Sequence, residues 1–160
     1  MSGAGKSTLG VLLAKALGMD FVDTDILIQQ REGRLLQTIL EEDGIERFLQ
    51  IEESVVTGIH TEGCVIATGG SVVYSECAMT ALRQEGIVVY LYVPCDELEK
   101  RLTNITTRGI VMKKGHSLKD VYEERLPLYE KYSDITVDCS SADIENCVYT
   151  IVGRIKILQS

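Results

Sequence analysis

Residues 2–8 read SGAGKST, and they lead into the helix-spaced apolar run STLGVLLAKAL, which stops at Gly18. Glycines at these positions let backbone N–H groups turn inward around an anion, because no Cβ blocks a close approach. A helix opening near Ser7 points its positive end at the same anion. Lys6 has the reach for the β- and γ-phosphates of a nucleotide, and the Ser7 hydroxyl suits Mg²⁺. Gly5-Lys6-Ser7 is the last part of the P-loop pattern G-x-x-x-x-G-K-[ST], whose first glycine falls just before residue 1. A plain glycine turn ahead of a helix is the alternative. It does not account for the amphipathic helix followed by FVDTD, a short strand that ends in acids.

Such a loop normally follows a buried strand, and none stands before it here. Downstream, the pattern alternates. FVDTD (21–25) reads as a strand. Two helical stretches follow, one around LLQTILEED stopped by Gly44, the other from about Ile45 to His60. CVIATGG (64–70) reads as a buried strand running into glycines, Ser75–Glu85 as a helix, and IVVYLYV (87–93) as a strand covered on both faces. DELEKRL is a short helix, SLKD opens a longer one to about Tyr132, ITVDC (135–139) is a strand and 143–158 a helix. The polar, basic, non-periodic stretch 103–116 reads as a mobile lid loop. These alternations predict one domain over 1–160 with an α/β, three-layer α/β/α architecture and a parallel sheet. Four strands are visible where a doubly wound domain would have five. Either the start of the chain is misplaced or the sheet lacks its first strand, and the former is favoured.

Bulk properties restrict the partners. The chain has 160 residues and a net charge of −8, with no run of Lys or Arg. A nucleic-acid or anionic-membrane partner is therefore not expected, and an anionic substrate has to be drawn in by a local basic pocket. The five cysteines, 64, 77, 95, 139 and 147, form no C-x-x-C pair and read as reduced core thiols of a cytoplasmic protein. No signal peptide or spanning segment is read. His60 and His116 read as surface residues, Tyr90 and Tyr92 as core, and Lys113 and Lys114 as solvated lid charges. A monomer is expected.

Asp23 and Asp25 alternate along the strand FVDTD, so their side chains are expected on opposite sides of it. In open α/β sheets ligands bind beyond the carboxyl ends of the strands. One acid can then face Mg²⁺ and the other an acceptor hydroxyl.

With these residues in hand, the chain resembles the shikimate kinases, a family of small P-loop kinases. The elements that carry the likeness are GAGKST, FVDTD, GIERFLQIEE, ATGGSVV, VYLYVP, RLTNITTRG and ERLPLYEKYSDITVD, which span nearly the whole chain. The resemblance implies transfer of the γ-phosphoryl of ATP to the 3-hydroxyl of shikimate with Mg²⁺. It implies that Gly3, Ala4, Gly5, Lys6, Ser7 and Thr8 form the nucleotide loop, and that Asp23 holds Mg²⁺ through water with Ser7 as a further ligand. Asp25 would bind the substrate hydroxyls and could serve as base. The backbone at Gly69 and Gly70 would approach the substrate ring, Arg125 would grip its carboxylate, and Glu52 would stand near it. Arg108 would be the lid arginine closing over the phosphates, and Arg101 would stack on adenine. The strand expected before the loop would be central, between the strands CVIATGG and IVVYLYV.

Three departures concern the acceptor side. The family places a second carboxylate-binding arginine directly after the phenylalanine of GExxFRxxE, where Leu49 stands here. Arg47, two residues earlier, lies on another side of a helix that turns about 100° per residue. Ser71 replaces the third glycine of the family's GGG, and the lid's R-P-L becomes R-G-I at Arg108. Losing a charge-assisted bidentate contact of about 1.5–3 kcal/mol weakens carboxylate binding roughly ten- to a hundredfold. Two alternatives to a shikimate kinase follow: a kinase of another small polyhydroxy acid or polyol, and a nucleotide-binding homologue without phosphotransfer.

Overall fold

The computed structural model describes residues 1–102, 110–141 and 143–159. Along the chain it forms α1 (Lys6–Leu17), β1 (Asp20–Asp23), α2 (Thr24–Glu32), α3 (Leu36–Thr57), β2 (Cys64–Ala67), a 3-10 turn (Val72–Tyr74), α4 (Glu76–Glu85), β3 (Val89–Tyr92), α5 (Cys95–Arg101), α6 (Leu118–Tyr132), β4 (Ile135–Asp138) and α7 (Ile144–Leu158). The start of α6 is a reciprocal capping box between Ser117 and Asp120. α4 is capped by Ser75, whose hydroxyl accepts from Ala78 N.

The strands pair in parallel, as expected. β1 lies beside β2 with Asp20 opposite Cys64 and Asp23 opposite Ala67. β3 lies beside β4 with Val89 opposite Ile135 and Tyr92 opposite Asp138. Among the described residues no hydrogen-bonded ladder joins β2 to β3. The interruption falls between the two strands that the resemblance places on either side of a central one. Helices cover the strands: α1 packs on β1, β2 and α7, and α7 on β4. α3 packs on α2 and α4, and α6 on α5 and the 3-10 turn.

Two apolar clusters result. The larger gathers Met1, Ala4, Leu9 and Leu13 with Tyr90, Leu91 and Val93, and continues into α6 and α7. The smaller packs Ile28 of α2 against Leu36, Ile39, Phe48, Ile51 and Val55 of α3, and includes Val111. Val111 belongs to the stretch read as a mobile loop. Its burial ties the later part of that stretch, 110–116, to α2 and α3, while 103–109 lie outside the described residues.

Two local readings change, at the end of FVDTD and at the cysteines. Strand FVDTD ends at Asp23, and Thr24 and Asp25 already belong to the first turn of α2. Asp23 caps that turn by accepting from Asp25 N, and α2 buries only Thr24 and Ile28, which leaves too weak an apolar period to reveal a helix. Gly44, with φ 79° and ψ 173°, leaves helical geometry and divides α3 into the two helical stretches expected on either side of it. The cysteines are not all in the core, since Cys77 is exposed and Cys64 and Cys95 are half-buried. No helix among the described residues is long and apolar enough to cross a membrane.

Candidate active site

The loop before α1 has the form that an anion cradle needs. Gly3 and Gly5 sit at φ 80° and 87°, in the left-handed region that glycine alone adopts without strain. An added Cβ at Gly3 would also lie 2.7 Å from Leu102 Cδ2. α1 has no side-chain cap and no acid in its first turn, so its leading N–H groups keep their positive end for an external anion. Lys6 is half-buried, and its Nζ donates to Met1 O at 2.7 Å, back across the loop. Burial lowers the affinity of its amine for a proton, and Asp25, followed by Asp23 and Glu52, works against that.

The two acids of FVDTD do not stand on opposite sides of one strand. They are the cap and the first turn of the same helix. Asp23 Oδ1 accepts from Asp25 N at 3.0 Å, and Asp23 Oδ2 accepts from Ser7 Oγ at 2.6 Å. Asp23 is thereby hydrogen-bonded to the P-loop helix, and Asp25 lies between Lys6 and the turn after β2. Burial and the Asp23 charge push the Asp25 carboxyl above its ordinary range, and Lys6 opposes them.

Behind Asp25 lies the glycine turn after β2. Gly69 N donates to the fully buried Thr24 Oγ1 at 3.2 Å, which fixes the turn to the start of α2. An added Cβ at Gly69 would collide with Glu52 Oε1 and lie 3.0 Å from Asp25 Oδ1. Glu52 is thus no exposed helix charge. It is 2% exposed, accepts from Ser71 Oγ at 2.7 Å through Oε2, and has no partner at Oε1 among the described residues. Burial raises its carboxyl to about 7 against the pull of Ser71, Arg125 and Lys6.

Arg125, 1% exposed, closes the space from α6. Its Nε donates to Tyr74 Oη at 3.1 Å and Nη2 to Val111 O at 2.5 Å, and its guanidinium lies 5.0 Å from the centre of the Tyr74 ring. Nη1 faces the turn, 3.1 Å from where a Cβ on Gly70 would be. Tyr129 Oη donates to Gly70 O at 2.6 Å. No carboxylate pairs with Arg125 among the described residues, so a buried cation is held by neutral groups. Tyr74, Tyr129 and Thr24 were not singled out in the sequence. Tyr74 and Tyr129 sit in the motifs ATGGSVVY and LPLY, but nothing in their spacing shows that their hydroxyls grip an arginine and a carbonyl.

Leu49, half-buried, packs beside the smaller cluster and lines a cavity of about 140 Å³ with Glu52, Ser71, Tyr74 and Ser75. Arg47 points elsewhere and meets Gln50. Arg101 stands apart from Asp25 and Arg125. It is held by Glu97 at 3.2 Å and by the carbonyls of Cys139 and Ser140 at 3.1 and 3.0 Å, which fastens α5 to the turn after β4. Arg108 lies outside the described residues. His60 and His116 are exposed, as expected. The structure therefore brings Lys6, Ser7, Asp23, Asp25, Glu52, Gly69, Gly70 and Arg125 to one region, beside the glycine loop of Gly3, Ala4 and Gly5. Two cations and three acids converge there with an inward-facing backbone turn, a combination suited to holding a polar anionic molecule beside a phosphate.

Comparison with known proteins bears on the family and the fold. The family model for shikimate kinase matches residues 2–156. The shikimate kinase of Thiobacillus denitrificans is 33% identical over 162 residues, covering 99% of this chain and 88% of that protein. That of Mycobacterium leprae is 35% identical, covering 98% of this chain and 79% of that one. Among solved structures, shikimate kinase from Acinetobacter baumannii in complex with shikimate superposes with a TM-score of 0.87 at 30% identity, covering 96% of this chain and 87% of that one. The enzyme from Aquifex aeolicus gives 0.84 at 29% identity, covering 98% and 92%. The fold is the three-layer α/β/α P-loop kinase fold, and the chain belongs to the shikimate kinase family of ATP-dependent kinases.

Proposed function

We propose that this chain transfers the γ-phosphoryl group of ATP to the 3-hydroxyl of shikimate, with the acceptor held over Gly69 and Gly70. The observation that carries this reading is Arg125, a buried guanidinium without a carboxylate partner among the described residues, facing the same glycine turn as Asp25 and Glu52. A carboxylate on the acceptor completes that cation, and hydroxyl groups on its ring meet the two acids.

The residues divide the work. The loop of Gly3, Ala4, Gly5, Lys6, Ser7 and Thr8 takes the phosphates, with Lys6 on the transferred group. Ser7 Oγ and the Asp23 carboxylate, already 2.6 Å apart, are the hard oxygen donors that would hold Mg²⁺. Bound there, Mg²⁺ supplies charge neutralisation on the phosphate oxygens. Asp25 accepts the hydroxyl proton as the acceptor oxygen forms its bond to the γ-phosphorus and the bond to the β-phosphate oxygen breaks, leaving ADP. Its carboxyl, pushed up by burial and by Asp23, is a stronger base than an ordinary aspartate. Arg108 is proposed to close over the phosphates from the lid, which limits hydrolysis of ATP by water. Arg101, fixed between Glu97 and the turn after β4, is proposed to lie against the base.

An ADP-release assay with ATP and Mg²⁺ over a panel of hydroxylated acids and polyols tests the reading. Shikimate is expected to give the highest kcat/KM. A higher value for a polyol lacking the carboxylate would overturn it in favour of the acceptor class that an apolar Leu49 suits.

A further inference from the structure

We propose that Ser71 is a positioning residue for acceptor binding: its hydroxyl grips one carboxyl oxygen of Glu52 and so presents the other to the acceptor beside Asp25. This role rests on the function proposed above. Ser71 is 4% exposed and Glu52 2%, and the two are joined by a 2.7 Å hydrogen bond from Ser71 Oγ to Glu52 Oε2. That bond sets the orientation of the carboxyl. Oε1 is left without a partner among the described residues and is aimed at the face of Gly69, where Asp25 Oδ1 also points. A buried, unpartnered oxygen costs stability unless something arrives to satisfy it. A group with a hydroxyl donor over Gly69 does so, and it meets two convergent oxygens there, one from each acid.

The rest of the surroundings leave this task to Ser71. From α1 comes Lys6, from α2 Asp25, and from α6 Arg125 and Tyr129. Lys6 Nζ is taken by Met1 O, the Arg125 donors at Nε and Nη2 by Tyr74 and Val111, and the Tyr129 hydroxyl by Gly70 O. On α3 itself, the neighbouring Glu53 turns away to accept from Ser75 Oγ, and Leu49, one turn before Glu52, offers no donor. Ser71 is thus the one hydrogen-bond donor to Glu52 among the described residues. Its bond favours the charged carboxylate, as does a hydroxyl donated to Oε1. Acceptor binding is therefore expected to weaken as pH falls through the Glu52 midpoint near 7.

The test compares wild type with Ser71→Ala, using Glu52→Gln to assign the Glu52 carboxyl signal in protein labelled with ¹³C-glutamate. The Glu52 midpoint is expected to rise by about 0.5–1 pH unit in Ser71→Ala, since one hydrogen bond to the charged form is lost. The shikimate KM at pH 7 is expected to rise about three- to tenfold, more at lower pH, with the ATP KM unchanged. An unmoved Glu52 midpoint would overturn the grip. A moved midpoint with an unchanged shikimate KM would overturn the acceptor role, and equal rises in both KM values would reduce Ser71 to a structural part. Absence of shikimate turnover in wild type would instead defeat the proposed function and take the acceptor role with it, while the titration still decides whether Ser71 holds Glu52.

Discussion

Asp23 caps the helix on which Asp25 stands: Asp23 Oδ1 accepts from Asp25 N at 3.0 Å, while its other oxygen accepts from Ser7 Oγ. The two acids thus share a backbone turn yet face different neighbours, Asp23 the P-loop and Asp25 the glycine turn after β2. Asp25→Asn is expected to lower kcat by at least about a hundredfold with ATP affinity nearly unchanged, because the base is lost and the cap remains. Asp23→Asn is expected to raise the Mg²⁺ concentration needed for half-maximal rate. Steady-state rates and nucleotide binding measured on both variants check this, and a fall in ATP affinity in Asp25→Asn would exchange the two roles.

Lys6 is half-buried, its amine holding a carbonyl of its own loop. Lys6→Ala is expected to remove at least about two orders of magnitude of phosphoryl transfer, as loss of a preorganised charge does. Circular dichroism should show the fold retained. A folded variant with full ADP production would rule out this loop as the phosphate site.

Glu52 gives stability a pH dependence of definite sign. Its folded carboxyl titrates at about 7 against an ordinary 4.5, so the native state binds the extra proton between these values. Its contribution is intact below pH 4.5 and lost as pH rises through 7, a difference of roughly 3 kcal/mol. Glu52→Gln removes the charge, so its stability relative to wild type is expected to climb by about that amount between pH 4.5 and 8. Urea unfolding of both proteins across this range measures it, and parallel curves would show that Glu52 is not buried as a carboxylate.

Leu49 and Glu52 stand one turn apart on α3, and both line the same cavity. Leu49→Arg is expected to place a guanidinium one turn before Glu52, where it would complete the clamp that Arg125 begins on the acceptor's carboxylate. The shikimate KM is expected to fall by up to about tenfold and the Glu52 midpoint to move down. An unchanged KM would mean that residue 49 does not reach the acceptor.

The helices and strands that end in strong local signals were legible in the chain. Gly18, the Ser75 cap and the Ser117–Asp120 capping box mark their boundaries within a few residues. The glycine loop was equally legible, because positive φ at Gly3 and Gly5 is a property of residue type. What the tertiary structure alone decided lies where distant segments meet. α2 buries too little to announce itself, and only packing of Ile28 on α3 makes it a helix that reorients Asp25. Glu52 could be placed near the acceptor only by resemblance, and its burial and its hydrogen bond from Ser71, which arrives from beyond β2, come from the tertiary structure. Arg125 could be matched to a substrate-gripping role, but that Tyr74 and Val111, arriving from either side, and no carboxylate, hold its guanidinium among the described residues is a tertiary outcome. Local chemistry sets backbone conformation over a few residues. Burial and the partners of a charge are set by contacts between residues far apart in sequence, and no short stretch of it encodes them.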